Sequence, residues 1–184
     1  MKKILKFIKL LTNKFYIHGL LNGCAAAVEH NLFLNNFKNQ ELKTVIDVGA
    51  NKGQFSLMIK KIFPDANIFA FEPLNRPYQK FLKIFNDMAN VNIYKYAIGP
   101  FRDKVLMNVS KREDSSSILE IGILQNKIFP GTGKINEEMI EVIPIDNLLK
   151  LENIQKPSLL KIDVQGYELE VLKGCRRMLA KIDY

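Results

Sequence analysis

Cysteine, histidine and tryptophan are scarce in this 184-residue chain, which has two cysteines, two histidines and no tryptophan. Cys24 and Cys175 lie near opposite ends of the sequence, and there is no CxxC pair. A disulfide framework or a zinc site needs clustered thiols or imidazoles, so the sequence predicts neither. We expect a cytoplasmic protein.

Long apolar runs are also missing. The stretches at 45–46 and 68–71 are far shorter than the roughly 18 residues that a membrane-spanning helix needs. Hydrophobic residues make up 47% of the chain and charged residues 25%, which is typical of an ordinary folded globule. The sequence therefore predicts one compact domain, with a helical extension over 1–40 and the main domain over 41–184.

Positive charge is concentrated in the extension. The net charge is +8, and residues 1–40 contribute +5 of it, from six lysines and Glu29. Ile4, Ile8, Leu11 and Phe15 would share one face of a helix, with lysines opposite. This amphipathic helix packs on the domain or touches an anionic membrane surface. Aromatic and basic residues do not interleave as a stacking platform requires, so we expect no nucleic-acid partner.

The main domain alternates short apolar runs with helical patterns. Strands are expected at 44–48, 67–71 and 91–97, with helices at 54–63 and 75–87; helix is also expected to continue through 20–37. After two further strands at 104–109 and 139–145, the pattern resumes with a strand at 158–164 and a helix at 167–179. This alternation predicts an α/β, Rossmann-like fold with a mostly parallel sheet covered by helices on both faces.

Two parts of the pattern are less regular. The polar stretch 110–138 is expected to be a loop with a short helix near 118–125, a natural place for a substrate loop. Residues 181–184 begin what resembles a further strand, so the distal strands of a complete sheet of this class would be missing. Either the chain is then a fragment or a truncated gene product, or a partner or a second copy covers the open edge of the sheet.

Candidate ligand-binding residues follow the first two strands. Asp47, Gly49, Asn51 and Gly53 lie where the first strand ends, and Glu72 ends the second. Ligands of open parallel sheets bind beyond the carboxyl ends of the strands, where glycines allow tight turns and a carboxylate accepts hydrogen bonds from ribose hydroxyls. These residues predict an adenosine-type ligand.

The spacing of the glycines bears on which ligand this is. The turn has the pattern G-x-x-x-G, which departs from the dinucleotide pattern G-x-G-x-x-G, and Gly53 is not followed by the residues of a phosphate-binding Walker loop. S-adenosylmethionine is positively charged at its sulfonium and has no phosphate, so the carboxylate of Asp47 favours it over NAD. A nicotinamide-dependent oxidoreductase is the weaker alternative.

Four motifs together resemble the FkbM-type S-adenosylmethionine-dependent methyltransferases. They occur in the family's order over roughly residues 22–184 and are VIDVGANKGQFS (45–56), FEP (71–73), AIG (97–99) and LKIDVQGYE with LKG (160–168 and 172–174). The resemblance implies a class I methyltransferase fold and transfer of a methyl group to an oxygen of a sugar or natural-product-like small molecule. It also adds Ala97 to the cofactor-binding residues.

Catalytic candidates follow the strand at 158–164. Asp163 would end this strand beside the methyl group, where it could orient the acceptor hydroxyl or accept its proton. Glu168 is close enough in sequence to join it, or it simply favours the start of the helix. Gln165 is a candidate for acceptor binding. These groups could also hold a divalent cation such as magnesium, but a metal-free site is the favoured interpretation.

Serines in the insertion complete the candidate site. Ser115, Ser116 and Ser117 resemble a serine pair in the family's central loop, where contact with the acceptor is expected, although a flexible polar loop would contain the same residues. We therefore expect an enzyme that binds S-adenosylmethionine and a hydroxyl-bearing acceptor. The alternative is a non-catalytic or split-enzyme module that retains the cofactor-binding fold.

Overall fold

A computed structural model of the chain describes residues 10–11, 13–30, 37, 41–120, 122 and 127–184. Most of the expected lysine-bearing helix and residues 121 and 123–125 of the expected helix at 118–125 lie outside these residues. Residues 118–120 and 122 are described and are not helical, so that prediction is wrong for them. None of the helices in the described ranges is long and apolar enough to span a bilayer.

The regular elements follow one another in the expected alternation along the main domain. The helices are α1 (Lys14–Leu21), α2 (Gln54–Ile62), α3 (Asn75–Phe85), α4 (Glu168–Lys173) and α5 (Arg176–Leu179). The strands are β1 (Thr44–Val48), β2 (Asn67–Phe71), β3 (Val91–Tyr94), β4 (Ala97–Ile98), β5 (Asp103–Ser110), β6 (Lys134–Ile143) and β7 (Ser158–Ile162).

A four-stranded parallel sheet forms the centre of the fold, in the order β3-β2-β1-β7. β1 is buried along its whole length, as its β-branched sequence predicts. Val45 packs with residues of α2 and α3 on one face, whereas Ile46 packs with residues of α4 and α5 on the other. The predicted α/β architecture with helices on both faces is therefore confirmed.

A second sheet contains β4, β6 and β5 in that order. β5 and β6 pair antiparallel over nearly their whole length, and β4 adds a short parallel pairing to β6. Two expectations are corrected here. The third strand ends at Tyr94 instead of 97, because Ala97 and Ile98 pair with β6; and residues 134–138 of the expected loop belong to β6.

The predicted continuation of helix through 20–37 is wrong over residues 22–27. α1 ends where Gly23 adopts a left-handed backbone with φ of +77°. The N–H of Cys24 donates to the carbonyl of Gly19 at 2.8 Å, and that of Gly23 donates to the carbonyl of Leu20 at 2.9 Å. This pair of hydrogen bonds is a Schellman motif, which terminates a helix.

The helix expected at 167–179 is divided between α4 and α5. The break falls at Gly174, where a Cβ atom would collide with the carbonyl oxygen of Gly99. Beyond it, the Asp146 carboxylate accepts hydrogen bonds of 2.9 Å from the N–H groups of Arg177 and Met178, so a distant side chain caps the new helix.

Residues 181–184 do not form the expected strand. Tyr184 nevertheless pairs with the edge of the parallel sheet, because its N–H donates to the carbonyl of Ser158 and its carbonyl accepts from the N–H of Leu160. These two hydrogen bonds, of 3.1 and 2.9 Å, place Tyr184 next to β7.

Candidate active site

A cleft of about 990 Å³ lies at the carboxyl ends of β1, β2 and β7. This is the position that ligands of open parallel sheets occupy. Of the predicted site residues, those that line the cleft are Gly49, Asn51, Glu72, Ala97, Ser116, Asp163 and Gln165. Asp47, Gly53, Ser115 and Glu168 lie near it without lining it.

The turn after β1 forms the floor of the cleft. Gly49 and Asn51 both have left-handed backbone, with φ of +76° and +49°. A side chain at Gly49 would collide with the carbonyl oxygen of Asp163, so glycine is needed for close packing against the segment that follows β7. Gly53, with φ of +92°, directly precedes α2, and a Cβ there would lie 2.6 Å from the ring of Phe85. Glycine is therefore required at this position by packing against Phe85 beneath the cleft.

Glu72 joins this turn to the end of β2. Its Oε2 accepts a 2.9 Å hydrogen bond from the N–H of Asn51, and its Oε1 accepts one of equal length from the N–H of Leu74. Burial raises the pKa of Glu72 to about 7, against the lowering effect of these two backbone donors and of Lys161. A carboxylate offers about four acceptor positions, so two remain available in a rigidly held group.

Asp47 lies beneath the cleft, fully buried. Its Oδ2 accepts a 2.8 Å hydrogen bond from the Ser56 hydroxyl, and its Oδ1 lies 3.0 Å from Nζ of Lys161. The same ammonium donates to the carbonyl of Gly49 at 2.9 Å. Asp47 therefore reaches the cleft through Lys161, which lines it, and its charge is already matched by a cation within the protein.

Lys161 was not anticipated from the sequence. Its position carries a signal, however, because it faces Asp47 in the register of the parallel pair β1 and β7. A lysine in an apolar strand, opposite a buried acid in the neighbouring strand, indicates an ion pair.

The loop after β7 holds the catalytic candidates. Asp163 follows β7 directly, and its Oδ1 accepts a 2.7 Å hydrogen bond from the side-chain amide of Gln165. The Glu168 side chain contacts the loop that precedes it. Its Oε1 accepts hydrogen bonds from the N–H of Gly166 at 3.0 Å and from the N–H of Val164 at 3.4 Å. The bond from Gly166 is the main reason why the pKa of Glu168 is lowered. The structure thus brings Asp163 and Gln165 together and gives Glu168 a role in shaping the loop.

The serines of the insertion differ in their environments. Ser116 lines the cleft, is buried, and accepts a 3.0 Å hydrogen bond from the N–H of Ser110. Ser115 does not line the cleft, and its hydroxyl donates to the carboxylate of Asp114, which does. The hydroxyl of Ser117 donates at 2.8 Å to the carbonyl of Gln165 and accepts at 3.0 Å from the N–H of Leu119. Ser117 therefore fastens the insertion to the loop that carries Asp163.

An ion-pair cluster holds the same insertion on its other side. The Glu113 carboxylate lies 2.7 Å from Lys52, 3.0 Å from Arg76 and 3.8 Å from Lys80. Burial acts to raise the pKa of Glu113, but these three cations outweigh it, and its pKa is lowered overall. The sequence pattern gave no sign of this cluster, because its members come from three separate segments: the turn after β1, α3 and the insertion.

Residues that precede the main domain also line the cleft, among them Gly23, Cys24 and Ala27. The N–H of Ala27 donates to the carbonyl of Gln54 at 2.9 Å, which fixes this segment on the start of α2. Within the described ranges, no group of three or more histidine, cysteine or acidic side chains has the arrangement of a metal site.

The order of the parallel strands and the cleft at their carboxyl ends define a Rossmann-like α/β fold. The chain belongs to the FkbM methyltransferase family, because the family model for the methyltransferase FkbM domain matches residues 47–184. The resemblance noted in the sequence is thereby confirmed.

Three curated relatives are similar to the chain. The hexuronic acid methyltransferase AglP of Haloferax volcanii is 30% identical over 141 residues, which cover 75% of this chain and 52% of the relative. Methyltransferase 1 of Beauveria bassiana is 23% identical, and the match covers 71% of this chain and 57% of the relative. Methyltransferase sdnD of Sordaria araneosa is 27% identical, and the match covers 71% of this chain and 59% of the relative. The chain thus spans little more than half the length of these relatives.

Among solved structures, the chain has a slight likeness to coclaurine N-methyltransferase bound to N-methylheliamine and SAH. The TM-score is 0.35 at 10% identity, with 63% of this chain and 44% of the other covered.

Proposed function

We propose that the protein is an S-adenosylmethionine-dependent methyltransferase that methylates a hydroxyl group of a sugar or natural-product-like small molecule. The observation that carries the proposal is the buried Glu72, held by Asn51 and Leu74 at the wall of the cleft with acceptor positions to spare. Membership of the family supports the reaction type, and the relative named as a hexuronic acid methyltransferase supports a sugar-type acceptor.

The lining of the cleft fits an adenosyl cofactor. Glu72 would accept hydrogen bonds from the ribose hydroxyls, and the turn at Gly49 and Asn51 would lie against the cofactor without an intervening side chain at Gly49. The apolar wall that includes Phe71, Ala97 and Ile98 suits a flat base. Asp47 would act through Lys161 by fixing the turn. Gly53 would act through the packing of α2.

When bound, the cofactor supplies a methyl group on a sulfonium, so that the acceptor oxygen forms a C–O bond while the C–S bond breaks and its electron pair goes to sulfur. The protein has to orient the acceptor and accept the hydroxyl proton. Asp163 lines the cleft and would accept this proton, and the hydrogen bond from the amide of Gln165 would orient its carboxylate. Ser116 would contact the acceptor. Glu168 would hold the loop through Gly166 and Val164, while Ser115 would contribute only through Asp114.

Calorimetry with S-adenosylhomocysteine tests the cofactor assignment. We expect saturable binding by the wild-type chain and no binding of NADH. Glu72→Ala should weaken binding by about 10- to 100-fold, the effect of losing charge-assisted hydrogen bonds. Glu72→Gln tests the charge with the shape retained, and Glu152→Ala, which removes an exposed carboxylate outside the cleft, should change nothing. Equal affinity in the wild type and both Glu72 variants would contradict the proposal.

A second measurement tests the role of Asp163. Transfer of a radioactive methyl group to a sugar acceptor should fall about 100-fold or more in Asp163→Asn, because the proton loses its acceptor, while the affinity for S-adenosylhomocysteine should not change. The matched control is Asp87→Asn, an exposed aspartate after α3. A variant that keeps the wild-type rate would remove Asp163 from the mechanism.

A further inference from the structure

A smaller pocket of about 260 Å³ adjoins the main cleft. The residues that line both are Lys52, Gln54, Arg112, Glu113 and Asp114. Arg76 and Lys111 complete the wall of the smaller pocket, which we call the basic pocket. Because the two cavities share most of this wall, one small molecule can extend from the cleft into the basic pocket.

The basic pocket contains more positive than negative charge. Four cationic side chains line it, those of Lys52, Arg76, Lys111 and Arg112, against the carboxylates of Glu113 and Asp114, which gives a net charge of +2. Lys80 lies just outside, 3.8 Å from Glu113, and adds a further positive charge. Two acids are too few to neutralise these cations.

The environment of Lys80 shows the effect of this excess. Its pKa is lowered, first by burial and then by the neighbouring charges of Lys52 and Arg76, while Glu113 acts in the opposite direction. The cations therefore repel one another despite the carboxylate between them, and a further anion in the pocket would relieve that repulsion.

Glu113 illustrates the kind of group that suits these cations. Its carboxylate is nearly buried, with 10% of the side chain exposed, and contacts Lys52 and Arg76 at 2.7 and 3.0 Å. Arginine and lysine arranged in this way are the usual partners of carboxylates and phosphates. Arg112 pairs with Asp114 at 3.3 Å and remains more than half exposed, so it can turn towards a ligand.

The position of the pocket assigns it to the acceptor. It opens beside the turn Glu113–Ser115, and the next residue, Ser116, lines the cleft that also contains Asp163. A molecule with an anionic group in the basic pocket would therefore extend into the cleft that contains the proposed proton acceptor.

We infer that the basic pocket binds a compact anionic group, a carboxylate or a phosphate, on the methyl acceptor, and that the acceptor is an acidic small molecule. This inference rests on the proposed methyl transfer and names the class of its acceptor. Lys52, Arg76 and Arg112 would hold the anionic group, with Lys111 and Lys80 adding to the attraction.

The test measures acceptor binding to the chain saturated with S-adenosylhomocysteine, at constant ionic strength. The probes are glucuronate and glucose 6-phosphate, with glucose as the neutral comparison and inorganic phosphate and acetate as bare anions. We expect at least one of the two acidic sugars to bind about tenfold more tightly than glucose, as one charge-assisted hydrogen bond provides. A preference for glucuronate or for glucose 6-phosphate then identifies the anion as a carboxylate or a phosphate.

Variants locate the anion. Arg76→Gln with Arg112→Gln should weaken binding of the preferred acidic sugar about tenfold, because two cations are lost, and leave binding of S-adenosylhomocysteine unchanged. Glu113→Gln removes the competing negative charge and should strengthen binding of the preferred acidic sugar. Lys83→Gln, on the exposed side of α3 and outside both cavities, removes one positive charge as a control and should behave as the wild type.

Three results would overturn the inference. The first is equal binding of glucose and of the acidic sugars, or no binding of any anion. The second is an equal effect of Lys83→Gln and of the double variant, which would reflect overall charge only. The third is a loss of S-adenosylhomocysteine affinity in the double variant, which would assign the pocket to the carboxylate of the cofactor. Failure of the wild type to bind S-adenosylhomocysteine would instead contradict the proposed function.

Discussion

Lys161 and Asp47 face each other across the parallel pair β1 and β7, with 3.0 Å between Nζ and Oδ1. Asp47 is fully buried, whereas about a fifth of the Lys161 side chain is exposed to the cleft. Removal of one partner of such a pair leaves an uncompensated buried charge.

Lys161→Met should therefore destabilise the protein by about 3 kcal/mol, whereas Lys161→Met combined with Asp47→Asn should recover much of that loss. Urea unfolding of the single and double variants measures the difference, with the exposed Lys83→Met as the control. If the double variant were no more stable than Lys161→Met alone, the ion pair would not be the cause.

Glu72 should make the stability depend on pH near neutrality. Its pKa is raised by burial from an ordinary value of 4.5 to about 7, so between these values the folded state holds a proton that the unfolded state has lost. The free energy of unfolding should fall as the pH rises through this range, by on the order of 3 kcal/mol. The stabilisation is complete below the ordinary value and is lost above about 7.

Glu72→Gln cannot lose a proton, so this variant should lack that part of the pH dependence. The measurement is urea unfolding of both proteins between pH 5 and pH 8. Parallel curves for wild type and variant would show that Glu72 titrates in the same way in both states.

Gly49→Ala should be strongly destabilising, because φ is +76° and the new methyl group would collide with the backbone of Asp163. Strain of the backbone alone costs about 1 kcal/mol, and the collision adds to it. Gly131→Ala is the matched control: φ is +87° there, and no described atom lies within 4 Å of the added carbon. Thermal unfolding should show a much larger loss for Gly49→Ala; equal losses would exclude the collision.

Ser117→Ala should loosen the loop that carries Asp163. The variant loses the 2.8 Å bond to the carbonyl of Gln165, at a cost of about 1 kcal/mol. Faster hydrogen exchange at the amides of 164–168 is the expected result, with Ser115→Ala as the control, since that hydroxyl bonds only to Asp114 among the hydrogen bonds described. Unchanged exchange in Ser117→Ala would show that the loop is held by other contacts.

Local patterns of the sequence predicted the parallel sheet well. β1, β2 and β7 are short runs rich in β-branched, aliphatic or aromatic residues, and the helices between them have one apolar face, so period and composition identify both. The end of α1 was missed although Asn22 and Gly23 are typical of a helix C-terminus. The break at Gly174 depends on close contact with Gly99, a residue distant in sequence, and could not be seen in the local pattern.

Some residues of the candidate site were predictable from the local sequence and others were not. Glu72 and Gly49 were predictable because strand ends converge on one edge of a parallel sheet. Lys161 and Glu113 were missed, since each is defined by a partner on another element: Asp47 for the first, and Lys52 with Arg76 for the second. Pairings between elements depend on how those elements pack, and periodicity within one element carries no information about them.

The separation of β5 and β6 from the parallel sheet has a consequence for how such a protein diversifies. The segment between these two strands supplies Glu113 and Ser116, whereas Gly49 and Glu72 belong to the parallel sheet and its turns. Under the proposed function, substitutions in the segment between β5 and β6 would change which acceptor binds, while the turn at Gly49 and the position of Glu72 would keep their geometry. The acceptor site and the cofactor site of the proposed reaction would then be able to diverge separately.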